Sequence, residues 1–301
     1  MSPERPNPRR LGFIGLGQMG GPMAANLAAA GFDLLCFDQA GTLDRVPPGA
    51  TAAGSAQEVF AGTDTILLSL PDGAATLSVV DELVAAGERR VTTVVDLSTV
   101  GPAVASEAAA RLAPAGVAYV DGPVSGGAAG ARAATISLMF GGPDEVLAAH
   151  RDVLESFTGN VFHVGLRPGQ GQTMKLLNNF LSATALVATS EALACGLSHG
   201  LAMETMLDVL NASTGRNSAT VDKFPNRVLT GTFDAGFRTA LMAKDLRLYV
   251  DAVEGAGTHG GVGSAVSGMW QRADDALPGS DFTRIWQFVQ RSEESTWPPT
   301  R

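Results

Sequence analysis

Residues 12–31 read GFIGLGQMGGPMAANLAAAG, and the reading of this stretch decides the fold. Gly15, Gly17 and Gly20 stand in G-x-G-x-x-G register, after the apolar run LGFIG (11–15) and at the mouth of the Ala-rich segment Met19–Ala30. Between a strand and a helix, the first glycine permits a tight turn and the second lets backbone approach a pyrophosphate. The third lets the helix pack close to the strand. Leu16, Gln18 and Met19 complete the loop. Backbone N–H groups here, at the positive end of the helix dipole, can hold an anion. A bare glycine motif means little in a chain with 36 glycines; the strand before it, the helix after it and the next strand give it weight. That next strand, DLLCF (33–37), runs into Asp38, 18 residues beyond Gly20. A carboxylate there accepts hydrogen bonds from the adenosine ribose hydroxyls of a dinucleotide. It repels a 2′-phosphate, and no Arg follows at once, so NAD is expected over NADP.

The same alternation continues outward. Further strands are predicted at 65–70, 92–97, 117–121, 135–140 and 161–164, with helical segments between several of them, such as Gly101–Ala113. Continuous apolar runs of this length suit strands covered on both faces. Alternating β and α elements predict an α/β unit with a doubly wound parallel sheet over 11–166. After the turn-rich RPGQG (167–171) the alternation stops. Helices are predicted over about 168–198, 203–213, 218–230, 239–256 and 262–276, an all-α domain over 167–301 joined by a long central helix. That helix, roughly 45 Å long at about 1.5 Å per residue, is read as buried. It has more apolar faces than one small bundle can cover, so a second subunit is expected on it, in a homodimer or homotetramer.

The totals narrow the class. Hydrophobic residues make up 45% and charged residues 17% of 301, enough for a sizeable core. A net charge of -9 argues against a nucleic-acid-binding surface. The run 176–197 is apolar enough to suggest a membrane span, but Asn178, Asn179, Thr184, Thr189, Ser190 and Glu191 interrupt it. The N-terminal MSPERPNPRR lacks the apolar stretch of a secretory signal and reads as a frayed lead-in over 1–10. Cys36 and Cys195 both fall in apolar runs and are read as core residues in a reducing cytoplasm. The histidines show no metal spacing. His163 reads as structural, and His150, His199 and His259 are placed near helix ends or loops.

Three more segments matter together: DGPVSGGAAGA (121–131), GQGQTMKLLNNF (169–180) and FRTALMAKDLRL (237–248). With the glycine loop they resemble the β-hydroxyacid dehydrogenases, the family of 3-hydroxyisobutyrate dehydrogenase and tartronate semialdehyde reductase, over about 11–290. The resemblance implies a Rossmann domain, a helical domain and lysine-dependent hydride transfer on short hydroxy acids. It places the catalytic lysine at Lys175 and a substrate-contacting asparagine at Asn179. It places the substrate-anchoring loop at Ser125, Gly126 and Gly127, and further cofactor contacts at Leu70, Pro71, Thr99 and Lys244. Two departures are Ala75, where some members carry a polar residue, and Ala134, where a glycine is common.

The residues themselves support that chemistry. Lys175 and Asn179 are four apart and share a helix face, with Asn178 at its edge. A polar stripe on an apolar helix must face water or a polar pocket, and a cleft at the domain hinge is the expected place. Alcohol oxidation needs a base for the hydroxyl proton, and the reverse step needs an acid. An amine that titrates near ~10.4 when free serves both once desolvation and the cationic nicotinamide lower it. Asn179 can orient the hydroxyl, and Gly126–Gly127 can turn backbone N–H groups to a carboxylate. STGRNSAT (213–220) offers Arg216, Asn217 and Ser218 as further pocket residues, or only a polar interhelical turn. Candidate substrates are 3-hydroxyisobutyrate, 3-hydroxypropionate, glycerate with its tartronate semialdehyde partner, threonate and 4-hydroxybutyrate. Two other readings remain: an imine-reductase-like relative, against which Lys175 argues, and a non-catalytic cofactor-binding oligomerisation module, which would lack the lysine.

Overall fold

The computed structural model describes residues 10–291. The lead-in expected over 1–10 lies outside the described residues except for Arg10, which opens β1 (Arg10–Ile14). Contacts divide the chain after Lys175 into two compact units.

The first unit is a sheet with helices on both faces. After β1 come α1 (Gly20–Ala29), β2 (Asp33–Phe37), β3 (Thr51–Ala52), α2 (Ala56–Gly62), β4 (Thr65–Leu68), α3 (Gly73–Ala85), β5 (Thr93–Asp96) and α4 (Pro102–Leu112). Then follow β6 (Ala118–Asp121), β7 (Val124–Ser125), α5 (Gly127–Arg132), β8 (Ser137–Gly141), α6 (Asp144–Glu155) and β9 (Asn160–Gly165). The period of two along each strand sorts side chains into two cores. Leu11, Phe13, Leu67 and Val95 pack with Met23 and Leu27 of α1. Ile14, Ile66, Leu68 and Val94 pack with Val59, Val80, Ala105 and Leu112. Local signals set several helix starts: Ser55 accepts the Glu58 N–H and Asp72 the Ala75 N–H, each as an N-cap.

The strand order is β3-β2-β1-β4-β5-β6-β8-β7, with β9 on β8. From β3 to β6 every pairing is parallel. The sheet is parallel-dominated rather than wholly parallel, because β8 runs antiparallel to β6 and β7. The six-residue α5 is too short to carry a right-handed crossover, and the chain doubles back instead. Ala134 turns this corner with φ +54, a left-handed conformation. The two-residue strands β3 and β7 were not expected from the sequence.

Helix α7 (Gln170–Ser198) runs across the division. The second unit continues with α8 (Met203–Asn211), a π-helical stretch at Ala219–Val228, α9 (Thr239–Ala256), α10 (Gly261–Ala276) and α11 (Ile285–Arg291). Its core joins Leu186, Leu193, Phe224, Leu246, Trp270 and Trp286. The segment expected as an ordinary helix over 218–230 is π-helical and contains Pro225. Proline has no N–H and displaces the carbonyl four residues back, which favours the wider turn.

Helix α7 was expected to be buried in part by this chain and in part by a second subunit. Within the chain 33% of its most apolar stretch is buried, and among the described residues it is the one helix long and apolar enough to cross a membrane. Met174, Leu177 and Leu181 are exposed along it. Cys36 is buried, but Cys195, expected in the core, is exposed. An all-round apolar helix gives no sequence signal for which face its neighbours cover. His150 is not at a helix end either: it lies inside α6, where it pairs with the Thr65 hydroxyl at 3.0 Å.

Candidate active site

The parallel strands β1, β2, β4, β5 and β6 end along one edge, where open α/β sheets bind ligands. At that edge the glycine loop is held by backbone: Gly15 N–H donates to the Phe37 carbonyl and Ser69 N–H to the Ile14 carbonyl, both at 2.9 Å. The three glycines differ in what demands them. Gly15 has φ +96, and a Cβ there would lie 2.3 Å from the Ser69 carbonyl oxygen. A Cβ on Gly20 would lie 1.9 Å from the Gly15 carbonyl oxygen. A Cβ on Gly17 would meet no protein atom within 4 Å, and Gly17 and Gln18 are exposed. The polypeptide needs the first and third glycines, whereas the second keeps space clear outside it. A dinucleotide pyrophosphate fits that cradle.

Asp38 does two jobs at the end of β2. Its carboxylate accepts the N–H of Leu16, in the glycine loop, at 2.7 Å and that of Ala40 at 2.8 Å. No arginine follows Asp38 at once in the sequence, but folding brings Arg45 within 3.8 Å of its carboxylate. Beside this, Leu70 N–H donates to the Ser98 hydroxyl at 2.8 Å, tying the loop carrying Leu70 and Pro71 to the one carrying Thr99. Ser125 lies in β7. Gly126 and Gly127 follow with φ +136 and +66, and a Cβ on Gly126 would strike Ile136 at 2.9 Å.

Asp121 and Gln172 went unassigned in the sequence, yet they fasten this edge together. The residue before helix α7 is Gly169, which has no side chain to cap it. Instead the buried Asp121, at the end of β6, accepts the N–H of Gly169 at 2.7 Å and of Gln172 at 2.6 Å. Gly141 and Gly171 pack against this carboxylate: a Cβ on either would come within 2.8 Å of it, and closer still to backbone at the Gly171 nitrogen or the Met139 carbonyl oxygen. Burial pushes the Asp121 carboxyl up to about 7 against these two donors, and nearby Asp96 adds to the rise. Gln172 accepts the N–H groups of Val100 and Gly101 at 2.9 and 3.2 Å and donates to the Ser98 carbonyl at 2.9 Å. It brackets Thr99. Asp96, the register partner of Asp121, is also pushed up by burial, though Ser98 N–H, Tyr119 and Thr76 donate to it.

Lys175 lies one turn beyond Gln172 and is 6% exposed. Asn179, a further turn along α7, is equally buried. In the second unit Asn179 donates to Asp245 at 2.6 Å and receives a bond from Asn178 at 3.1 Å. Lys244 pairs with the same buried Asp245 at 3.4 Å. Asp245 was missed in the sequence, although its place beside Lys244 was the available signal. The polar atoms of Asn217 are used locally: Oδ1 accepts from Ala219 and Thr220, and Nδ2 donates to Thr189 and Gly215. STGRNSAT therefore builds a helix-starting turn at Asn217, and Arg216 beside it is exposed. Among the described residues no group of His, Cys, Asp and Glu could hold a metal ion.

Known proteins match along the chain. Residues 10–165 match the family model of the NAD-binding domain of 6-phosphogluconate dehydrogenase. Residues 169–289 match that of the NAD-binding region of NADP-dependent 3-hydroxyisobutyrate dehydrogenase. The chain is 35% identical to 3-hydroxyisobutyrate dehydrogenase of Pseudomonas aeruginosa over 288 residues, 91% of this chain and 96% of the relative. It is 36% identical to 2-(hydroxymethyl)glutarate dehydrogenase of Eubacterium barkeri over 247 residues, 81% and 82% of the two chains. The solved 3-hydroxyisobutyrate dehydrogenase of Mycobacterium tuberculosis with L-serine superposes with a TM-score of 0.87 at 32% identity, covering 94% of this chain and all of that one. Imine reductases are more distant: that of Streptomyces aurantiacus, at 24% identity and a TM-score of 0.60 over 93% and 99% of the two chains, shares the fold alone. With the glycine cradle, the lysine helix and the Lys-Asp pair in one chain, and with relatives matched along its length, the protein belongs to the β-hydroxyacid dehydrogenase family.

Proposed function

We propose that this NAD-dependent hydroxy-acid oxidoreductase acts on acids of the form HOCH2–CHR–COO⁻, and that Lys175 exchanges the hydroxyl proton. The observation that carries the assignment is the buried side chain of Lys175, on a helix whose start is fastened to the cofactor edge. The substrate form is what 3-hydroxyisobutyrate, 2-(hydroxymethyl)glutarate and L-serine share: a hydroxymethyl group on the carbon that bears the carboxylate.

In this reading Ser125 and the N–H groups of Gly126 and Gly127 hold the carboxylate. Asn179, set by Asp245, orients the hydroxyl, and Lys175 takes its proton as the carbinol carbon becomes an aldehyde. Bound NAD supplies the hydride acceptor. Leu16, Gly17, Gln18 and Met19 line the pyrophosphate, Asp38 the ribose, and Leu70, Pro71, Thr99 and Lys244 complete the cofactor contacts. Charge repulsion at Asp38 favours NAD, and Arg45 leaves NADP as the secondary cofactor. In the reverse direction the Lys175 ammonium returns the proton to the carbonyl oxygen.

The exposed side chains of Met174, Leu177 and Leu181 support a homodimer or homotetramer built on α7. The free thiols Cys36 and Cys195 fit a reducing cytoplasm. The test is NADH formation with 3-hydroxyisobutyrate, L-serine and 2-(hydroxymethyl)glutarate, with lactate as a 2-hydroxy acid control. Lys175→Ala should lower turnover by about 10²–10⁴-fold. Retained turnover in that variant refutes the role of Lys175, and a preference for lactate refutes the substrate form.

A further inference from the structure

We propose that Asp121 and Gln172 are positioning residues for Lys175, together fixing where α7 begins against the loops that follow β5 and β6. The proposal rests on reading Lys175 as the proton-transfer residue. A helix start leaves its first N–H groups without partners inside the helix. A neighbouring Ser or Asp usually satisfies them, as Ser55 and Asp72 do for α2 and α3. Here the acceptor comes from 48 and 51 residues upstream, on a strand inside the sheet. Burying a carboxylate in that place is costly, which its raised titration also reflects. A local cap would start the helix at lower cost. The strand-borne carboxylate fixes the helix start in space as well.

The seat has no slack. A Cβ on Gly141 or Gly171 would crowd both neighbouring backbone and the Asp121 oxygens, and Gly169, whose N–H donates to Asp121, has a φ of +92. Gln172 adds a second attachment through its three bonds to the Ser98–Gly101 loop. Lys175 follows Gln172 by one turn. A displacement of the helix start therefore reaches the Lys175 backbone, and with it the root of the buried side chain, with no break in the helix between them. Misplacing a reacting group by about 1 Å costs about 10²-fold in rate.

The test compares the full-length wild type with Asp121→Asn, Gln172→Met and Lys175→Ala, using the best substrate of the panel in protonated form and deuterated at the carbinol carbon. Asparagine keeps the shape of Asp121 but sets its amide nitrogen against one of the two N–H donors. Methionine keeps the length of Gln172 and removes its three bonds. The expected result is folded protein with kcat lowered about 10–100-fold, by the misplacement argument above, and a deuterium isotope effect on kcat that rises above the wild-type value. The amides of Gly169 and Gln172 should also exchange hydrogen faster in Asp121→Asn. A purely structural role lowers the folded fraction and leaves the isotope effect where it was. That result, wild-type turnover in both variants, or failure of both to fold would overturn the proposal. Retained turnover in Lys175→Ala would instead remove the reading on which it rests.

Discussion

Two alanines placed three residues apart in the glycine loop should separate cofactor binding from folding. At Gly20 the new Cβ would sit 1.9 Å from the Gly15 carbonyl oxygen and 3.1 Å from the Ser69 Cβ. The closest obstacle is backbone, so nothing can swing aside. Overpacking of this kind costs about 1–3 kcal/mol and sometimes more, and Gly20→Ala belongs at or above the upper end. At Gly17 the Cβ meets nothing within 4 Å, and the backbone is outside the left-handed region. There the fold should gain about 0.4–1 kcal/mol, because alanine narrows the unfolded ensemble. The same methyl fills the space that the pyrophosphate approaches. Losing one charge-assisted N–H bond to phosphate is worth about 1.5–3 kcal/mol, or about 10- to 150-fold in Kd. Thermal melting without cofactor and NADH fluorescence titration read the two effects apart. Wild-type protein should also gain about 2.7 kcal/mol of stability in NADH at ~100 times Kd, a gain that falls to about 0.3–1.4 kcal/mol in Gly17→Ala at the same NADH concentration. NADH affinity in Gly17→Ala within about threefold of wild type, far below the ~10-fold loss expected from one such bond, would refute the reasoning. So would cofactor-free Gly17→Ala melting well below wild type.

Asp38→Asn removes the charge that opposes a 2′-phosphate while Arg45 stays in place, so the ratio of kcat/KM for NADP over NAD should rise about 10–100-fold, since like-charge juxtaposition costs several kcal/mol; adding Arg45→Ala should reverse most of it. Ala134→Gly relieves a left-handed alanine that costs about 1–2 kcal/mol, less the added freedom of glycine when unfolded. Melting should therefore rise by up to ~2 °C, and a fall would mean that the strain assigned to φ +54 is absent. Leu181→Glu places a charge at the most exposed of the large apolar side chains along α7, 65% accessible. Light scattering should report a smaller assembly, and an unchanged mass would remove α7 from the interface.

Short-range patterns carried most of what the sequence disclosed. The glycine loop and Asp38 are readable because strand, turn and helix are neighbours in the chain and each glycine has a local geometric task. The interval of four between Lys175 and Asn179 is readable because helix periodicity converts it directly into a shared face. Asp121 was not readable as the seat of α7, because its partners lie 48 and 51 residues away and no periodicity links a strand end to a distant helix start. The reversal at β8 was hidden because an antiparallel strand buried on both faces reads like a parallel one. Two-residue strands such as β3 are too short to show any period. Pro225 was a visible signal within the 218–230 helix, and its missing N–H accounts for the wider turn found there. Cys195 shows the limit of composition: an apolar neighbourhood in sequence does not decide which side of a helix the rest of the chain covers.

The carboxyl beneath α7 also gives folding a proton balance. Asp121 titrates at about 7 in the folded chain, against 3.8 for an ordinary aspartate. Below the lower value both states carry the proton, and Asp121 adds no pH dependence. Between the two values the folded chain holds a proton that the unfolded chain has given up, so stability falls as pH rises through this window and levels off beyond about 7. Near neutrality the folded population carries Asp121 in both protonation states. Unfolding there releases protons to the medium, and the heat measured in a calorimeter includes the heat with which the buffer takes them up. Melting enthalpies in phosphate and in Tris should therefore differ, and Asp121→Asn should narrow the difference.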